Sequence, residues 1–201
     1  MNDYRMIIDA EQCVGCHACE VACKQEFGAP LGYFRTMTLY LDTGSYPKVK
    51  RDFLPLMCRQ CESAECMSVC TRGALSRVNG IIEVDESKCD GCGDCVSACS
   101  IGAIYVNPFS NNAEKCNLCS HRLEVGMRPA CEETCVADAI KVISSDAEIP
   151  SDAIPFKNAP NDKPRTLHIG ANELMKQKLR AGKNFSPLNY EINTWAEKDH
   201  E

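Results

Sequence analysis

The 201-residue chain is poor in large rings: it has one Trp, and aromatic residues make up 6% of it. Its hydrophobic fraction is 44%, but 16 of those residues are cysteine. Packing of ordinary apolar side chains therefore yields a thin core, and something else must help hold the fold. Long hydrophobic runs are missing too. Nothing approaches the ~18 uninterrupted apolar residues of a membrane span, and stretches such as GAIYV at 102–106 are strand-sized. Positive charge is not in excess: Lys plus Arg is 22, Asp plus Glu is 28, and the formal charge is −6. That balance excludes nucleic acid as the main partner, and no basic patch is interleaved with aromatics. The N-terminal MNDYRMIIDAEQC lacks a basic segment followed by an apolar one, and there is no twin-arginine pair, which predicts a soluble chain without an export signal of its own. GxGxxG, the P-loop and a legible Ser/His/Asp arrangement are all absent, so no substrate site can be read.

What the chain has instead is cysteine in four groups of four. Group one is Cys13, Cys16, Cys19 and Cys23, spaced C-x2-C-x2-C-x3-C. Group two is Cys58, Cys61, Cys66 and Cys70, spaced C-x2-C-x4-C-x3-C. Group three, Cys89, Cys92, Cys95 and Cys99, repeats the spacing of group one. Group four, Cys116, Cys119, Cys131 and Cys135, is the same frame with an eleven-residue middle, SHRLEVGMRPA. Disulfides need an oxidising compartment, for which no targeting signal is visible. Zinc sites use two C-x2-4-C pairs and have no need of three thiolates within seven residues. Iron–sulfur cubanes do need that compact triple, and the fourth thiolate, about one helical turn later, points elsewhere. Sixteen ligands divided by four gives four [4Fe–4S] clusters.

RMIIDAEQCVGCHACEVAC (5–23) aligns with IIEVDESKCDGCGDCVSAC (81–99), matching Asp9 with Asp85, Gly15 with Gly91 and Ala22 with Ala98. After the fourth Cys, CTRGAL, CSIGAI and CVADAI share C-x3-A-[LI], each followed by a β-rich tail. ALSRVNGIIEV reads as strand, Asn79–Gly80 turn, strand. The repeating unit is strand, cluster loop, short helix, hairpin, cluster loop, short helix, strand. The fold class is α+β: a ferredoxin-like unit duplicated into two two-cluster modules, with an inserted segment and an extended C-terminal tail. In this division, residues 1–23 and 100–143 hold groups one and four, 24–57 is the insert, 58–99 holds groups two and three, and 144–201 is a partner-docking tail. Within the insert TMTLYLD (36–42) reads as a strand, and Pro47 and Pro55 keep the following segment out of a sheet centre. The insert serves either to pack the halves together or to meet a partner. In the tail KPRTLHIG (163–170) reads as extended and ANELMKQKLRAGKN (171–184) as a short helix. Phe156, Leu167, Ile169, Leu188, Ile192 and Trp195 favour an arm laid across a neighbour over a disordered end.

With every cysteine placed, the chain resembles the four-cluster iron–sulfur subunit of the dimethyl-sulfoxide reductase family of molybdenum or tungsten oxidoreductases, over about residues 4–143. The resemblance implies an exchange of ligands that spacing alone leaves open. Cys13, Cys16 and Cys19 would be joined by Cys135, and Cys116, Cys119 and Cys131 by Cys23. Cys58, Cys61 and Cys66 would be joined by Cys99, and Cys89, Cys92 and Cys95 by Cys70. One departure is that no Pro follows the fourth cysteines; Lys24, Thr71, Ser100 and Val136 stand there, each bringing an amide donor. His17 and His121 lie in or beside cluster loops but are expected not to be ligands, since the thiols already fill four sites. The resemblance implies an electron wire between a molybdopterin- or tungstopterin-containing catalytic subunit and a quinone-reactive membrane subunit or soluble carrier. Competing readings are a partner of a tungsten aldehyde oxidoreductase or benzoyl-CoA reductase, a free polyferredoxin, and a zinc-bound scaffold. Location is expected to be cytoplasmic, or at the periplasmic membrane face by export with a signal-bearing partner.

Overall fold

The computed structural model describes residues 3–155 and 164–181. In chain order these form β1 (Tyr4–Asp9), α1 (Ala18–Phe27), β2 (Thr36–Ser45), β3 (Lys48–Met57), α2 (Glu65–Ser68), β4 (Leu75–Val78), β5 (Ile81–Val84) and α3 (Asp94–Ala98). Then follow β6 (Ile104–Val106), β7 (Ala113–Lys115), α4 (Ser120–Glu124), α5 (Ala130–Glu133), β8 (Ile140–Ser144), β9 (Ile154–Pro155), β10 (Thr166–Ile169) and α6 (Glu173–Ala181). The result is a mixed α/β chain of short elements.

The largest sheet has the order β8-β1-β10-β9. β1 runs antiparallel to β8, with Met6 opposite Val142 and Ile8 opposite Ile140, and parallel to β10, with Ile7 opposite Leu167. Met6, Ile7 and Ile8 are all buried, as a strand covered on both faces requires. The other sheets are hairpins: β2–β3, β4–β5 and β6–β7. β4–β5 turns through Asn79 and Gly80, both at positive φ (47° and 80°), the geometry that a two-residue hairpin needs. β2–β3 is the long one; its base buries Met37, Leu41, Leu54 and Leu56, while Gly44 to Arg51 at its tip are exposed. Pro55 sits in β3 without cost because the sheet has only two strands.

Three apolar clusters fill the interior, and each contains cysteine. Met6, Ile8, Met57, Leu118 and Ile140 surround Cys19 and Cys131, with Cys116 and Cys135 against them. Leu75, Ile82, Ile104 and Ala113 surround Cys66 and Cys95, with Cys61, Cys70, Cys89 and Cys99 against them. The third joins the hairpin base to Ile101, Ala103, Met175 and Leu179. Two parts of the expected division need correction. The β6–β7 hairpin, assigned by a boundary at residue 100 to the outer module, packs through Ile104 and Ala113 into the core of groups two and three. The tail from 144 onward, where it is described, is built into the chain's own sheet and core. β10 is an inner strand of the chain's own sheet, because β1 is buried on both faces and needs a partner on each edge. α6 is capped by Asn172, whose Oδ1 accepts the Met175 N–H at 3.0 Å, and it drives Met175 and Leu179 into the core. Phe156, Leu188, Ile192 and Trp195 lie outside the described residues.

His168 on β10 is fully buried; its Nε2–H donates to the Pro55 carbonyl at 2.8 Å, and Nδ1 has no partner among the described residues. Burial holds its pKa down at about 4. The unfolded chain takes up a proton near the ordinary value of ~6.5 while the folded one stays neutral. This stability is therefore full above about pH 6.5 and is lost as pH falls towards about 4, by on the order of 3 kcal/mol. His168→Asn should flatten the acid-side fall in thermal midpoint of the cluster-loaded protein between pH 7 and 4.5. An unchanged slope would reject the assignment.

Candidate metal centres

All sixteen thiols are free. In each loop the second residue after the first Cys adopts positive φ: Gly15 at 65°, Gln60 at 52°, Gly91 at 72° and Leu118 at 53°. A left-handed residue turns successive backbone N–H groups towards one side and builds a concave nest suited to anions. At Gly15 and Gly91 a side chain would also collide, with the Phe53 ring and with the Asn111 carbonyl respectively. The third Cys of each group lies on a short helix, and in α1 Cys19 and Cys23 are one turn apart on the same face.

One cavity, about 350 Å³ including its mouth, is lined by Cys70, Cys89, Cys92 and Cys95. Another, about 490 Å³, is lined by Cys58, Cys61, Cys66 and Cys99. Thus the fourth cysteine of group two stands among the first three of group three, and the reverse. Thiols of groups one and four likewise lie in one another's electrostatic surroundings. Burial raises the Cys13 thiol, and its charged neighbours include Cys135. Burial raises Cys23 strongly, with Cys116 and Cys119 beside it, and raises Cys131, with Cys116, Cys119 and Cys23 beside it. Cys19 and Cys66 are pushed up to about 12, Cys95 and Cys116 to about 11, in each case first by burial and next by neighbouring charge.

Such thiols become thiolates only beside compensating positive charge, which an iron–sulfur core supplies. Donors for the ligand sulfurs are in place. The Ala103 and Ala139 amides point at Cys99 and Cys135 Sγ, each at 3.3 Å, and the Ala113 amide at Cys89 Sγ, also 3.3 Å. In two of the three copies of the C-x3-A repeat, the alanine returns its N–H to the fourth sulfur. The sequence pattern showed the alanines without their role, and the donors lie four residues beyond the cysteine rather than directly after it. Thr38 of β2, whose side chain lies beside the Cys19 thiol, had no sequence signal at all. Among the described residues no three Cys, His, Asp or Glu side chains converge tightly enough for one metal ion. A zinc ion needs its sulfurs about 2.3 Å away; thiols ringing a cavity suit a polynuclear cluster. The histidines are engaged elsewhere: His17 Nδ1 lies 2.9 Å from Glu20 Oε1 and its Nε2 meets the Tyr40 hydroxyl, while His121 Nε2 lies 2.7 Å from Glu26 Oε1.

The fold and thiol arrangement define a ferredoxin-type iron–sulfur protein. Sequence comparison agrees: residues 49–145 match the 4Fe-4S dicluster domain and residues 4–25 a 4Fe-4S binding domain. The chain is 42% identical over 144 residues to the thiosulfate reductase electron transfer subunit of Salmonella typhi, covering 70% of this chain and 75% of that one. It is 39% identical over 139 residues to a subunit of the tetrathionate reductase of Salmonella typhimurium, covering 68% and 56%. It is 33% identical over 168 residues to a subunit of the selenate reductase of Mesobacillus selenatarsenatis, covering 67% and 58%. The chain therefore spans little more than half the length of the latter two. It belongs to the iron–sulfur electron-transfer subunits of molybdoenzyme reductases, and its cofactors are four [4Fe–4S] clusters.

Because every apolar cluster contains or abuts ligand thiols, iron removal should dissolve the core and not merely empty it. Anaerobic chelation is expected to abolish the native circular dichroism and expose the β1–β8 region to protease. A compact, protease-resistant apoprotein would refute that dependence.

Proposed function

We propose that this chain relays single electrons between a molybdopterin- or tungstopterin-containing catalytic subunit and a quinone-linked membrane subunit or soluble carrier. The clusters, once bound, supply the one-electron chemistry; the chain supplies ligands, spacing and dielectric. Three relatives carry reductase-subunit names, which favours a catalytic partner for this chain as well. No described helix is long and apolar enough to cross a membrane, so a membrane link would be another subunit's task. In this reading the chain's side of the membrane follows that of its catalytic partner.

The ligand sets we propose are Cys13, Cys16, Cys19 with Cys135; Cys116, Cys119, Cys131 with Cys23; Cys58, Cys61, Cys66 with Cys99; and Cys89, Cys92, Cys95 with Cys70. The two cavities and the thiol neighbourhoods described above support them. They also favour a duplicated ferredoxin-like plan, one crossed pair of loops in each half.

The observation that carries the relay reading is the uneven exposure of the thiols. The exposed ones are Cys16 in loop one and Cys92 in loop three. Cys116 of loop four is partly buried and has Cys58 of loop two beside it. This favours a linear order with groups one and three at the two ends and groups four and two meeting in the middle. Electrons would enter and leave at the exposed thiols. Exposed Val14 follows Cys13 and exposed Val136 follows Cys135, two members of one proposed ligand set, and they offer an apolar contact there.

The test combines composition and ligand exchange. Native purification should bring down a large subunit containing molybdenum or tungsten, with about sixteen irons per copy of this chain, four for each cluster. Cys135→Ser should perturb the same paramagnetic signal as Cys13→Ser and a different one from Cys116→Ser. A stable, partner-free four-cluster monomer in native extracts would argue for a free carrier instead.

A further inference from the structure

The two halves meet at a small polar junction. Lys115, at the end of β7, is 2% exposed. Its Nζ donates to the carbonyls of Ile82 on β5 and Cys116 in loop four, both at 2.7 Å. Gln60 of loop two, 0% exposed, fastens the same two backbone units. Its Nε2–H donates to Cys116 O at 2.6 Å, and its Oε1 accepts the Ile82 N–H at 2.9 Å.

Lys115 differs from the other buried cation nearby. Arg35, which faces Cys23 and Cys119, is paired with Glu114 at 2.9 Å, so a carboxylate cancels much of its charge. Among the described residues Lys115 donates to neutral carbonyls and forms no carboxylate pair. Burying an ammonium this way costs several kcal/mol. Both of its carbonyl partners adjoin ligand thiols: Cys116 opens group four, and Ile82 packs in the apolar cluster that contains Cys66 of group two. Carboxylates also lie near ligand thiols, Glu20 beside Cys19, Asp90 and Asp94 beside Cys92, and Glu26 beside Cys119, the last paired with Arg122 at 2.8 Å.

We propose that Lys115 is a positioning residue that holds up the reduction potentials of the two interior clusters together. A cluster becomes more negative on reduction, and a fixed, poorly screened cation favours that state. Because Nζ bonds backbone next to both loops, the effect is shared between the halves. The proposal rests on the order given above, with groups four and two in the middle. Arg59 supplies the contrast: its Nη2 lies 3.2 Å from Cys61 Sγ of group two.

The test is a redox titration of the cluster-loaded full-length protein, following each cluster's paramagnetic signal. Lys115→Gln keeps hydrogen-bond donors and removes the charge, Lys115→Met removes both, and Lys115→Arg keeps both. The two interior signals should shift to lower potential in the Gln and Met variants, stay near wild type in Arg, and leave the outer two unmoved. Arg59→Gln should lower one interior signal only. The proposal is overturned by an unshifted Lys115→Gln, by a shift confined to one cluster, by a uniform shift of all four, or by Lys115→Gln failing to load iron while Lys115→Arg loads. Cys61→Ser and Cys116→Ser identify the interior signals from their own loops. Cys99→Ser and Cys23→Ser separately test the crossed ligand sets, so failure of that pairing would be distinguishable from failure of the charge assignment.

Discussion

Everything in this structure depends on making buried thiolate charge tolerable. Sixteen sulfurs must sit close together in a small chain, seven of them on buried residues, where ionisation is strongly opposed. Three devices answer that opposition. Left-handed residues turn backbone amides inward in every loop. Alanine amides return to the sulfurs of Cys99 and Cys135. The remaining positive charge comes from iron, so the cofactor counts as part of the hydrophobic core's own support.

That constraint accounts for the difference between the regular and the bulged loops. Loops one and three, with Gly at the left-handed position, stay near the surface and keep an exposed thiol each. Loops two and four carry Gln60 and Leu118 there, both essentially inaccessible. A non-glycine residue at positive φ carries a strain of about 1 kcal/mol or more. These two offset it: Leu118 packs with Met6 and Ile140, and Gln60 joins loop two to loop four. The interior loops thus accept backbone strain in return for a side chain that a glycine loop could not provide.

How much of this was legible in the sequence follows the range of the interactions. The thiol groups, the Asn79–Gly80 hairpin, the strand at 36–42 and the helix after Asn172 are encoded locally by spacing, turn chemistry or periodicity, and could be read directly. The partnering of β1 with β10, and the joining of β6–β7 to the core of groups two and three, depend on contacts between distant segments. Thr38 reaching Cys19 and Lys115 spanning Ile82 and Cys116 are of the same kind. The C-x3-A repeat is the intermediate case: its regularity was visible, while its reason needed the fourth sulfur's position.

The central sheet also has a temporal side. Its first strand, β1, leads directly into the loop of Cys13, Cys16 and Cys19, yet both of its neighbours, β8 and β10, lie more than 130 residues further along the chain. Pairing over such separations is slow, and a chain made from its N-terminus gains β8 and β10 well after the hairpins that lie between them and β1. The hairpins β4–β5 and β6–β7 that frame groups two and three close early by comparison. Folding is therefore biased to complete the clusters of groups two and three first, with the loop of group one left open for metal delivery until β10 arrives to shut it.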